Sequence, residues 1–193
     1  MLSRRTSLVC LLLGLSLSLG IILPAAADDL PKLTAETYDS GFKFAHDTYN
    51  GMGTGSDGKI YYVLSTTPHD VAGRMYSFDP ATKKIAFLGD LTEACGEKGM
   101  KAVAQGKSHC NFVEHDGKLY FATHTGFYAL IDDMEKMGPP PAGWKPYQGG
   151  HFLSYDMATG KFENLALVPD DGIITMNMDA DRGRLYGFTW PTS

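Results

Sequence analysis

His109-Cys-Asn-Phe-Val-Glu-His115, then Asp116-Gly117-Lys118, then Leu119-Tyr-Phe-Ala-Thr-His124 and, past a Pro-rich excursion, His151-Phe-Leu-Ser-Tyr-Asp156, Met157-Ala-Thr-Gly160-Lys161 and Phe162-Glu-Asn-Leu-Ala-Leu167 form the stretch that decides the fold. Apolar and polar residues alternate with a period of two, which is the pattern of half-buried strands. Asp116-Gly117 supplies the positive φ that joins right-twisted strands in a tight hairpin. Asp156 stands where its carboxylate can bond its own turn, and Gly160 where a left-handed residue is needed. The stretch therefore reads as one four-stranded antiparallel unit.

The unit recurs along the chain. Asp57-Gly58-Lys59-Ile60-Tyr61, Asp116-Gly117-Lys118-Leu119-Tyr120 and Asp181-Arg182-Gly183-Arg184-Leu185-Tyr186 are three versions of one hairpin. Asn111 and Asn177 each lie nine residues before the hairpin tyrosine, which predicts a matching register for the incoming strand. Tyr76-Ser-Phe-Asp79-Pro-Ala-Thr-Lys-Lys84 likewise matches Leu153-Ser-Tyr-Asp156-Met-Ala-Thr-Gly-Lys161. Strands are predicted near 59–65, 75–79, 85–91, 109–115, 118–124, 151–156, 162–167, 173–179 and 184–190. Four short strands per unit with no amphipathic helix between units predict an all-β fold made of β-propeller blades.

The hairpin and the Tyr/Phe-Asp-x-Ala-Thr-x-Lys turn resemble those of exported seven-bladed propellers of the kelch, streptogramin-lyase and oligogalacturonate-lyase kind. The resemblance covers roughly residues 50 to 193 and singles out no one family. It implies about two and a half four-stranded antiparallel blades of a seven-bladed ring, at about 50–93, 108–168 and an incomplete 173–193. Propellers close with about 4 to 8 blades, because each blade buries its faces on its neighbours. The expectation is thus an N-terminal part of a longer chain, with the remaining blades as its partner. A small twisted sheet domain, or a ring completed by other chains, is the competing reading.

Residues 1–27 have the parts of a secretory signal: Arg4 and Arg5, an apolar run from Leu8 to Leu23, and Ala25-Ala26-Ala27 after Pro24. An uncleaved anchor is the alternative, since a bilayer is crossed by roughly 20 apolar residues. Ser3-Arg4-Arg5 resembles the start of a twin-arginine signal, but Ser7 stands where that pattern has a bulky apolar residue. Cleavage after Ala27 leaves a lead-in segment at 28–48 and the repeats at 49–193, in a secreted or periplasmic protein. Losing Arg4 and Arg5 takes the 17 basic residues to 15 against 22 acidic, so the formal charge moves from -5 to -7. With no Lys/Arg block, that balance argues against nucleic acid and, after cleavage, against a membrane surface as partner. Of the three cysteines, Cys10 leaves with the signal. Cys95 and Cys110 are then expected to pair outside the cytoplasm, closing a loop of about 15 residues for roughly 3 kcal/mol.

The histidines give the candidate chemistry. If the short Asp-rich turns share one face of the ring, the other connections share the opposite face. His109, His124 and His151 then sit at strand ends on that opposite face, with His69 and His46 nearby and His115 in an opposite-face turn. Converging neutral imidazoles suit a divalent metal ion or a general base. Oligogalacturonate lyases hold a divalent cation with histidines and a glutamine. Gln105 and Gln148 lie on this side, yet these positions align to no motif of that family, and no role is carried over. The loop from Thr125 to Gly150 carries a predicted helical turn at Asp132–Met137 and two aromatic faces, Trp144 and Tyr147, of the kind sugars stack on. Two functions follow: a binding protein for a carbohydrate or protein ligand, or a metal-assisted polysaccharide lyase or hydrolase. No phosphate loop, nucleophile elbow or Cys metal motif occurs.

Overall fold

The computed structural model describes residues 33–190. The predicted leader at 1–27, its cleavage point and the rest of the region before Leu33 lie outside them. Residues 33–37 belong to a separate N-terminal unit and form no regular element. Among the described residues no helix is long and apolar enough to cross a membrane.

The second unit is all-β with almost no helix. Strands β1 (Met52–Thr54), β2 (Ile60–Leu64), β3 (Arg74–Asp79) and β4 (Lys84–Asp90) form an antiparallel sheet in sequence order. After a short helix, α1 (Leu91–Ala94), the pattern returns in β5 (Val113–His115) and β6 (Lys118–Ala122). The hairpin β7 (Ala129–Ile131) and β8 (Met134–Lys136) is inserted before β9 (Gly149–Asp156) and β10 (Lys161–Pro169), which complete a second meander of order β5-β6-β9-β10. A third hairpin, β11 (Gly172–Asp179) and β12 (Arg184–Trp190), follows.

The repeated turns have the chemistry read from sequence. Asp79 accepts hydrogen bonds from the amides of Ala81 and Thr82, and Asp156 from those of Ala158 and Thr159. Lys83 and Gly160 take the left-handed position that follows, at φ of 57° and 69°. Asp116 and Gly117 are both left-handed, as a two-residue hairpin of the primed type requires.

Three expectations need correction. The register of Asn111 and Asn177 is not shared: Tyr186 faces Asn177 but Tyr120 faces Val113, because Ala180–Arg182 form a 3-10 turn where the second hairpin has only Asp116-Gly117. The strand expected at 109–115 is regular only from Val113, with Lys107 making a single antiparallel bridge to His124. The helical turn expected at Asp132–Met137 is instead the β7–β8 hairpin, whose Asp132 and Asp133 both have positive φ. Asp tolerates that region through local hydrogen bonding, and a local propensity for a helical turn does not survive it.

The pleat decides the core. Along β6 and β9 the residues of one parity, Leu119, Phe121, Leu153 and Tyr155, pack with Tyr61, Val63, Met75, Leu91 and Phe112 between the first two sheets. The other parity, Tyr120, Ala122 and Phe152, packs with Ile173, Met176 and Leu185 of the third hairpin. Strands β6 and β9 of the middle sheet are therefore apolar on both faces. Each fully buried Leu or Phe in them contributes about 1.5–3 kcal/mol.

Candidate functional site

The antiparallel bridge of Lys107 with His124 sets these side chains side by side, and His109, two residues on, packs its ring against that of His124. The rings of His109 and His124 lie 5.0 Å apart. They line a cavity of about 420 Å³ together with Tyr49, Lys107, Tyr128, Glu135, Ile174 and Trp190, a size within the range of small-molecule sites. Sequence reading thus placed two of its three histidines together.

His124 is fixed by its neighbours. The Thr125 amide donates to Nδ1 at 2.9 Å, so the neutral ring carries its proton on Nε2, which donates to Tyr128 Oη at 3.0 Å. The Tyr128 hydroxyl passes the chain on to the Thr125 carbonyl at 3.2 Å. Gly172 packs directly on the ring, where a Cβ would overlap Nδ1. Burial, then the neighbouring His109 and the Lys107 charge, push the His124 pKa down to about 3. Both ring nitrogens are engaged, so neither is free for a metal ion.

His109 stacks on Tyr49 at 4.4 Å, and its Nε2 is buried with no hydrogen-bond partner. Burial, followed by the Lys107 charge, holds its pKa down near 4, against a smaller opposing pull from Asp47. Lys107 itself is only 4% exposed. Its ammonium donates to Tyr49 Oη at 3.0 Å and lies 4.3 Å and 4.6 Å from the ring centres of Tyr49 and Tyr128. Trp190 closes the aromatic wall, 5.9 Å from the His124 ring and 5.8 Å from that of Tyr128.

His151 lies elsewhere, for a reason that strand ends alone do not reveal. It sits opposite Thr123, one residue from His124, so the pleat sends it to the other face of the sheet. There its Nε2 donates to Glu97 Oε1 at 2.9 Å and its Nδ1 to Asn164 Oδ1 at 2.9 Å. The Asn164 amide is oriented by its own donation to the Cys95 carbonyl at 2.9 Å, which leaves Oδ1 facing the imidazole. Both nitrogens are then donors, and the pair is an imidazolium and a carboxylate. Burial opposes that charge, but the bonds to Glu97 and Asn164 and the charge of Glu97 outweigh it, and the His151 pKa is raised.

Glu97 is 6% exposed and also accepts from Gln105 Nε2, whose Oε1 accepts from the Tyr147 hydroxyl at 2.8 Å. Tyr147 is thus a largely buried member of a polar network, and it lines a separate cavity with Phe127, Pro139 and Pro146. Trp144 stands apart, edge-on to His69 at 4.7 Å. Gln148 donates to the Pro146 carbonyl at 2.7 Å. Among the described residues no group of three or more His, Cys, Asp or Glu is arranged to hold a metal ion. The expected bridge is not formed either. Cys95 and Cys110 are free buried thiols, because Cys95 belongs to the core between the first two sheets and Cys110 to the core between the middle sheet and the third hairpin.

Tyr49, Lys107, Tyr128, Trp190 and Glu97 were not singled out from the sequence. Lys107 had a usable signal in standing two residues before His109. Glu97 lies in an irregular loop, where no periodicity predicts a partner 54 residues away. Family models, curated protein sequences and solved structures gave no match to the chain.

Proposed function

We propose that the two meanders and the third hairpin are consecutive blades of an exported β-propeller, and that the cavity between Tyr49 and Trp190 binds a carbohydrate. The observation that carries the reading is the pairing, in one cavity of about 420 Å³, of aromatic walls with a buried imidazole nitrogen that has no partner. Sugar rings offer apolar C–H faces to aromatic side chains and hydroxyls that both donate and accept. Tyr49, Tyr128 and Trp190 fit the first need. The ammonium of Lys107, the Nε2 of His109 and the tyrosine hydroxyls fit the second. Two of the histidines expected to face the ligand, His109 and His124, line this cavity, and Trp144 and Tyr147 are not among its lining residues.

The metal-assisted lyase or hydrolase is the weaker reading, since His124 and His151 have no free lone pair and His151 is on the other face. The chain has two tryptophans. A Trp144→Phe variant leaves Trp190 as the sole indole reporter, and saccharide titration of that variant tests the proposal. Saturable change in emission, lost in Tyr49→Ala, supports it. No response to any mono-, di- or oligosaccharide class overturns it.

A further inference from the structure

Charge in the cavity points to a narrower class of ligand. Lys107 is buried, and among the described residues no carboxylate forms an ion pair with it, although a buried charge is ordinarily paired. One of its three N–H donors reaches Tyr49 Oη, and the tyrosine rings offset only part of the lost hydration. The imidazoles beside it are neutral, His124 with both nitrogens occupied and His109 with Nε2 unpartnered. Glu135 lies on the exposed rim. The cavity thus holds one cation with no carboxylate in contact among the described residues and one unpartnered imidazole nitrogen, while Asp47 and Asp171 act on His109 and His124 only through their charge.

We propose that the cavity selects a ligand bearing a single oxyanion group, which sits on the Lys107 ammonium with His109 Nε2–H as a second donor. The inference rests on the carbohydrate reading above. A carboxylate, a sulfate ester and a phosphate monoester share the required chemistry. The single ammonium and the nearby Glu135 favour a monoanion over a dianion, which would leave one charge uncompensated.

The Trp144→Phe chain, titrated with glucose, glucuronate, glucose 6-sulfate and glucose 6-phosphate at low and at high salt, separates the possibilities. A charge-assisted hydrogen bond corresponds to a preference of roughly ten- to a hundredfold for the monoanions over glucose. That preference shrinks as salt is raised, while glucose binding does not change. It disappears in Lys107→Met and Lys107→Gln, whose fold is checked by circular dichroism. Where both variants fail to fold, the salt dependence of the parent alone decides. Glucose bound as tightly as glucuronate and the sulfate overturns the monoanion inference and leaves the carbohydrate reading standing. Tighter binding of the dianionic phosphate than of either monoanion overturns it as well. No binding of any sugar defeats the underlying reading.

Discussion

His109, His124 and His151 are the same residue type in one sheet system, yet their environments move them in opposite directions. His151 gains a carboxylate and has a raised pKa. Its contribution to stability is complete below the unfolded pKa near 6.5 and is lost as pH rises through the higher folded value. His109 and His124 are held neutral, with pKa near 4 and near 3. The unfolded chain takes up their protons first as pH falls below about 6.5, so stability drops on the acid side. Urea unfolding across pH 4 to 9 is expected to give a maximum between two falling limbs. His124→Gln should flatten the acid limb and leave the alkaline limb, and His151→Gln should do the reverse. At a single pH, Glu97→Gln leaves the imidazolium without its carboxylate and is expected to cost about 3–5 kcal/mol, as for other broken buried pairs. A loss below about 1 kcal/mol would mean the pair is replaced by water or by Gln105 at little cost.

At the level of the element, the two Asp-x-Ala-Thr turns do the same work in different sheets. Each aspartate satisfies two backbone amides and prepares the left-handed residue that follows. Asp79→Ala and Asp156→Ala are therefore each expected to lower stability by roughly 1–2 kcal/mol, and by similar amounts. Equal losses in denaturant midpoints check the equivalence, and a loss confined to one turn would show that the likeness ends at sequence. The β7–β8 hairpin makes a different point. Asp132 and Asp133 both occupy the left-handed region, so Asp133→Gly removes a steric penalty of about 1 kcal/mol. Slower amide exchange across Ala129–Lys136 is the expected readout. At this scale β2 to β4, β6 and β9 to β12 were legible because alternation and turn residues are local. The inserted hairpin was missed because Asp-Asp is a weak signal for a primed turn beside Asn-Gly or Asp-Gly.

Across the molecule, protection should follow how many faces of a sheet are covered. The central strands of the middle sheet, β6 and β9, are covered on both sides, with Phe121 and Leu153 fully inaccessible, while β10 is largely exposed. The third hairpin leaves Tyr186 and Phe188 outward, Phe188 at 73% exposure. Hydrogen exchange is therefore expected to be slowest in β6 and β9 and faster in β11 and β12. On the propeller reading, the outward face of the third hairpin is where the next sheet of a ring packs. A chain extended by a further four-stranded repeat should then slow exchange in β12, and unchanged exchange there would argue for a finished sheet edge.

The sequence by itself determined the strand type, the antiparallel meanders, their repeat and the turns that join them, because alternation and Asp/Gly chemistry act over a few residues. It also brought His109 and His124 to one place, since strand ends follow from strand order. Only the tertiary structure decided that His151 turns to the opposite face, that Cys95 and Cys110 lie in different cores, and that Glu97 pairs with His151 while Lys107 lies beside His124. Those outcomes depend on pairing register and on loops packed across dozens of residues. A shift of one residue reverses the face a side chain takes, and no local pattern records the register.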